Sequence, residues 1–194
     1  IKKIFKIMTE FSDLKSFVDS WEDRFVEVTE FDVFKNSPKG NINSDGTATC
    51  CDSPIFTKYH RYFKRSIEEG IRDLTIALIL KLNCITYSSC QGHFSTEDVG
   101  MRQRYVAVMP RDEEEYQQLF NSFNQIAELT NKRFSDHPVK VFVGNDNLKS
   151  EGKVTKCLTL FFVSNNADEA EYFRGIKPVY NYVLQQVNQS KNQT

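Results

Sequence analysis

An α+β fold is the class this sequence predicts, and three observations lead there. Short runs rich in Val, Ile, Phe and Thr alternate with polar turns, as strands require. Longer segments place apolar residues at three- and four-residue spacing, the pattern of helices with one buried face. A short acidic motif, Asp112-Glu113-Glu114-Glu115-Tyr116, returns 56 positions later as Asp168-Glu169-Ala170-Glu171-Tyr172. Moved upstream, the same offset lays NCITY (83–87) on VKVFV (139–143) and RYVAV (104–108) on LFFVS (160–164). The chain therefore reads as strand, loop, strand, helix, twice over. The expected architecture is a mostly antiparallel sheet with helices packed on it, plus an irregular N-terminal extension.

Each element has its own local reason. In the extension, 1–55, Phe11, Leu14, Phe17, Val18 and Trp21 predict a short helix over 12–21. Alternation over 24–34 predicts a strand, and the Gly/Asn/Ser/Pro-rich stretch 36–49 a mobile loop. The remainder, 56–194, is expected to be a single domain with pseudo-repeats 83–130 and 139–188. Its first helix, 57–81, carries Phe63, Ile67, Ile71, Leu74, Leu78 and Leu82 on one stripe, with Ser53-Pro54 as its start. The first repeat helix carries Tyr116, Leu119, Phe120, Phe123, Ile126 and Ala127. The second carries Tyr172, Phe173, Ile176, Tyr180, Val183, Leu184 and Val187. Both begin with acidic residues, which suit the positive end of a helix dipole. Pro178 lacks an N–H and follows closely on Gly175, so a kink or break is expected there.

Composition narrows the function classes. The 194 residues are 40% apolar and 26% charged, enough for one core. A formal charge of -1 argues against binding extended nucleic acid or a membrane surface by overall charge. The longest apolar run, 74–82, is too short to span a bilayer and is interrupted by Lys81. IKKIFKIM at the start lacks the apolar core and cleavage site of a signal peptide. With five cysteines, an odd number, a disulfide scaffold fits poorly and a cytoplasmic setting is expected.

The two repeats differ most between their paired strands. The first carries Ser88-Ser89-Cys90-Gln91-Gly92-His93-Phe94-Ser95, read as a hairpin loop; the second carries Gly144 to Glu151 there. A thiol three residues from an imidazole suggests a nucleophile with its base, so Cys90 and His93 are the candidate catalytic pair. Gly92 permits a sharp turn between them or close approach of a ligand. Ser88, Ser89, Gln91 and Gly92 would line a pocket. Arg102 and Arg104, at the start of the return strand, would hold a phosphate or carboxylate. The bland alternative has Cys90 as a small buried side chain and His93 capping a turn.

Other chemistry is weaker. Cys50, Cys51, Cys84, Cys90, Cys157, His60, His93 and His137 could in principle ligate zinc, but no C-x-x-C pair exists and no metal is expected. His93-Phe94-Ser95 matches the H-x-S/T element of two-histidine phosphoesterases, yet the equivalent position in the second repeat is Lys149. His60 and His137 read as structural, and the two acidic runs as helix starts.

Thr86-Tyr87-Ser88-Ser89-Cys90-Gln91-Gly92, between a helix and a strand, resembles the T-x-S-S-C-x-G segment of the tRNA wybutosine-synthesis methyltransferase family. His93 stands where that family usually continues with Arg. The resemblance implies a compact α+β fold, a ligand pocket at Ser88, Ser89, Cys90 and Gly92, and S-adenosylmethionine as cofactor. Two functions are thus expected. One is a cytoplasmic enzyme, of transferase or Cys/His-dependent type, acting on a small phosphate-bearing or nucleotide-like substrate. The other is a non-catalytic module that uses the same segment to bind a ligand or protein.

Overall fold

The structure is a computed structural model that describes residues 9–11, 13–26, 34–36, 52–54, 56–97 and 100–190. It divides into two compact units, 1–66 with 145–157, and 67–144 with 158–194.

In the first unit, β1 (Thr9–Phe11) pairs antiparallel with β2 (Phe34–Asn36), which pairs antiparallel with β3 (Asp52–Pro54). Helix α1 (Leu14–Glu22) is capped by Asp13, whose carboxylate accepts from the Ser16 N–H at 2.9 Å. Phe17 and Trp21, one turn apart, are fully buried as their spacing requires, and Trp21 meets Phe63 edge to face at 5.6 Å. Phe63 opens the short helix α2 (Phe63–Ser66). Ser53-Pro54 is strand rather than a helix start. Of the strand expected over 24–34, Arg24 to Val26 form a turn and Phe34 is strand; 27–33 and most of the loop, 37–49, lie outside the described residues.

The second unit holds the α+β core. Helix α3 (Glu69–Leu82) leads to β4 (Ile85–Cys90), β5 (Arg104–Met109) and α4 (Glu113–Arg133). Then β6 (Val139–Ser150), β7 (Lys153–Ser164) and α5 (Glu169–Gln189) repeat the sequence strand, strand, helix. The strand order is β6-β7-β5-β4. The outer parts of β6 and β7, 145–157, belong to the first unit, where β1 runs parallel to β6 with Thr9 opposite Leu148. The helix expected over 57–81 is two helices, parted at Ile67-Glu68.

The offset of 56 recurs in the elements: α4 and α5 have equal lengths and begin and end 56 positions apart. Where β5 and β7 pair antiparallel, Tyr105 stands opposite Phe161, its own counterpart, with ring centroids 5.7 Å apart. A local twofold axis passes between those two rings. Helix α3 lies on α5 and on the β4–β5 hairpin, and α4 on α5. Ile71, Leu74, Val106, Leu160, Phe162 and Val183 are fully buried between sheet and helices. Each such side chain contributes about 1.5–3 kcal/mol by leaving water. Tyr172 is also fully buried, and its hydroxyl is satisfied twice. It accepts from the Arg104 N–H and donates to the Phe162 carbonyl, both at 2.8 Å, so α5 is pinned to a paired position of the two central strands.

The polar segments read as hairpin loops are largely strand. β4 continues through Ser88, Ser89 and Cys90, and β6 through Ser150. The β6–β7 turn is Glu151-Gly152, both at positive φ (49° and 79°), the backbone a two-residue hairpin favours. Helix α5 continues unbroken through Pro178. The acidic runs do start helices. Asp112 accepts from the Glu115 N–H, and Asp168 from the Glu171 N–H, each at 2.8 Å; Glu171 closes a capping box. Asp168→Ala is expected to lower unfolding free energy by about 1 kcal/mol, while Asp168→Asn, which keeps an acceptor, costs little. Urea denaturation of the two variants checks this; equal stabilities would show the cap to be idle.

Candidate functional site

The site begins at the N-terminus of α3, where the first helical N–H groups lack intrahelical partners. Glu68 occupies the capping position, but its carboxylate makes no cap. The cap comes from across the fold. Gln91, just past the end of β4, accepts from the Gly70 N–H through Oε1 at 2.9 Å. In return the Gln91 backbone N–H donates to Glu68 Oε2 at 2.7 Å. The Gln91 carbonyl accepts from Arg104 Nε at 2.8 Å. One residue thus ties α3, β4 and β5 together.

Gly92 follows at φ 88°, and a Cβ there would lie 3.2 Å from the Arg102 carbonyl oxygen and from the Phe173 ring. Both the backbone conformation and the space demand glycine. His93 and Arg102 then form an antiparallel bridge, with reciprocal backbone hydrogen bonds of 3.0 and 2.9 Å. Phe94 stacks on Phe173 at 4.1 Å, and Ser95 binds Glu169 at the start of α5. These contacts hold the segment after Cys90 against the helix.

The result is a convergence of three side chains. His93 Nε2 lies 2.7 Å from Glu68 Oε1, with the two side chains only 9% and 12% exposed. Close as they are, the pair is not aligned as a hydrogen bond, and neither atom has a hydrogen-bond partner among the described residues. The Cys90 sulfur joins them: one ligand atom from each of Glu68, Cys90 and His93 lies within 4.8 Å of the others. The Gly92 N–H donates to the Cys90 sulfur at 3.4 Å.

Electrostatics keep this thiol neutral. Burial pushes Cys90 up to about 11; the Gly92 N–H and the nearby Arg102 and Arg104 oppose the shift, and Glu68 adds to it. Arg104 is itself largely withdrawn from water, which lowers its pKa, and its guanidinium lies 4.8 Å over the Tyr180 ring. Tyr105, opposite Cys90 in the strand pair, is pushed up to about 12 by burial, against a 3.0 Å hydrogen bond with Ser88.

Of the residues singled out from sequence, Cys90, Gln91, Gly92, His93, Arg102 and Arg104 come together. Ser88 joins through Tyr105, whereas strand alternation points Ser89 to the face opposite Cys90. Cys84 and Cys157 are buried outside the cluster, and Cys50 and Cys51 lie outside the described residues. His60 stacks on Phe56 and accepts from the Tyr62 N–H; His137 accepts from the Val139 N–H, and both serve their own turns. Glu68 was missed, because it fell inside the single helix expected over 57–81 and stands 23 residues from Gln91. Surface clefts of about 690 and 560 Å³ lie beside Arg111 and beside His137, and neither includes Cys90 or His93.

The chain matches no protein-family model, no curated protein and no solved structure.

Held neutral, Cys90 is expected to alkylate slowly at pH 7, its rate still climbing above pH 9. Peptide mass spectrometry after iodoacetamide pulses reads this; fast labelling at pH 6 would contradict the burial. The folded state keeps this proton to higher pH than the unfolded chain does. Cys90 therefore makes stability fall as pH rises from 9 towards about 11.

Proposed function

We propose that the Glu68–Cys90–His93 corner is the active site of a cytoplasmic enzyme acting on a small phosphate-bearing or nucleotide-like substrate. The convergence of carboxylate, thiol and imidazole beside two arginines carries this reading. Glu68 orients the His93 ring. His93 takes and returns the proton of the reacting group, with Cys90 as the thiol it relieves of a proton during group transfer. Arg102, bridged to His93, meets the anionic group of the substrate, and Arg104 positions Gln91. A reducing compartment suits the buried thiols of Cys84 and Cys90, and among the described residues no helix is long and apolar enough to cross a membrane.

S-adenosylmethionine comes to this chain through the T-x-S-S-C-x-G resemblance alone. The segment fits it poorly as it stands, with Ser88 bonded to Tyr105 and Cys90 7% exposed, so no step is routed through it. The second reading, a non-catalytic ligand- or protein-binding module, is favoured by the neutral thiol.

Backbone amide NMR of the wild type, titrated with inorganic phosphate, AMP, ATP and S-adenosylmethionine, tests the choice. A phosphate-bearing probe is expected to shift amides of residues 88–93 and 102–104, and Arg102→Ala to weaken that binding by about tenfold or more. Binding without any conversion of the bound compound would favour the module. No shift at these amides with any phosphate-bearing probe would defeat the enzyme reading.

A further inference from the structure

We infer that Glu68, Cys90 and His93 form a binding site for one divalent metal ion of the zinc class. The inference goes beyond the proposed function and shares only its location: a bound ion would occupy the Cys90, His93 and Glu68 atoms that the proton transfer uses.

Two observations point to it independently. The first is the donor set. One sulfur, one imidazole nitrogen and one carboxylate oxygen lie within 4.8 Å of one another, drawn from two stretches of backbone, the start of α3 and the segment that ends β4. Magnesium and calcium take oxygen donors, whereas a mixed S, N, O set suits zinc and its neighbours. Metal–donor distances of about 2.0–2.3 Å put tetrahedral donors roughly 3–4 Å apart. Side-chain rotation covers the step from the present separations.

The second is the mismatch within the His93–Glu68 pair. A buried imidazole and carboxylate that served only each other would point N–H at oxygen. Here the atoms are 2.7 Å apart without that alignment, and both are shut off from water with no other hydrogen-bond partner among the described residues. A buried nitrogen and oxygen brought together without hydrogen-bond alignment are placed to be ligands of a common third atom. An ion between them removes both orphans at once.

The surroundings are those of a supported ligand set. Glu68 Oε2 is fixed by the Gln91 N–H, the His93 backbone by Arg102, and the Cys90 sulfur by the Gly92 N–H. Metal uptake replaces the thiol proton, which leaves to solvent, so thiolate and carboxylate together neutralise a divalent ion. Three protein ligands leave the fourth tetrahedral position to water or to an anion.

The test uses the full chain, stripped with chelator and titrated with Co²⁺ under reducing conditions. One ion per chain is expected, with visible tetrahedral bands and a thiolate charge-transfer band in the near ultraviolet. Cys90→Ser abolishes the charge-transfer band; His93→Gln, Glu68→Gln and the supporting change Gln91→Ala each weaken binding by about tenfold or more. X-ray absorption of the zinc-loaded wild type needs no variant, and is expected to show one sulfur at about 2.3 Å with nitrogen and oxygen near 2.0 Å. Failure of the wild type to take up a stoichiometric ion overturns the inference, as does a thiolate band that survives Cys90→Ser or a zinc shell without sulfur. Should no ion bind while phosphate probes still shift the amides of residues 88–93, only the metal site falls. Should the metal bind while no phosphate probe does, only the substrate reading falls.

Discussion

The α3 N-terminus ends in open N–H groups beneath a sheet, and the exchange between Gln91 and residues 68–70 closes it. Gly70 N–H meets the Gln91 side chain, and Gln91 N–H meets Glu68. Each bond contributes about 1 kcal/mol net, but breaking one strands a partly buried polar group at about 1–3 kcal/mol. Gly70 is required by the closeness of this joint: a Cβ there would sit 2.9 Å from Gln91 Oε1 and 3.1 Å from an Arg104 nitrogen. With one carboxylate oxygen of Glu68 taken by Gln91, the other is left aimed at His93. The local requirement of a helix end thereby fixes the geometry of the site.

The same joint explains why the thiol is quiet. Docking β4 against α3 and bridging His93 to Arg102 removes Cys90 from water faster than the neighbouring cations can favour its ionised form. Tyr105 and Tyr172, also withdrawn from water, stay neutral nearby. A neutral thiol beside an imidazole–carboxylate pair gains charge only when a proton acceptor or a cation is supplied.

The α+β class and the two repeat helices were legible because their apolar stripes and acidic caps are local signals. Tyr172, Ile176, Tyr180, Val183 and Val187 are buried as their spacing demands. Strand lengths were not legible. Ser88-Ser89-Cys90 and Gly144 to Ser150 are polar or small, and such residues read as loop unless the partner strand is known. The parallel pairing of β1 with β6 joins residues far apart in sequence and leaves no periodic trace. At the site, Cys90, Gly92 and His93 stood out by residue type. Glu68 did not, since only the folded helix brings it to them.

The twofold between Tyr105 and Phe161 has a further reach. Ser88 and Gly144, 56 positions apart, occupy matching places and each meets the ring of its own half. Ser88 shares a 3.0 Å hydrogen bond with the Tyr105 hydroxyl, while a Cβ on Gly144 would come within 2.6 Å of the Phe161 ring. Polar contact in one half and flush packing in the other are settled as pairs. Replacing Ser88 alone takes this bond from the Tyr105 hydroxyl, and adding a side chain at 144 collides with the ring at 161. A change at any of these places is therefore felt by its partner, and the two halves hold separate pairwise solutions, one polar and one packed flush.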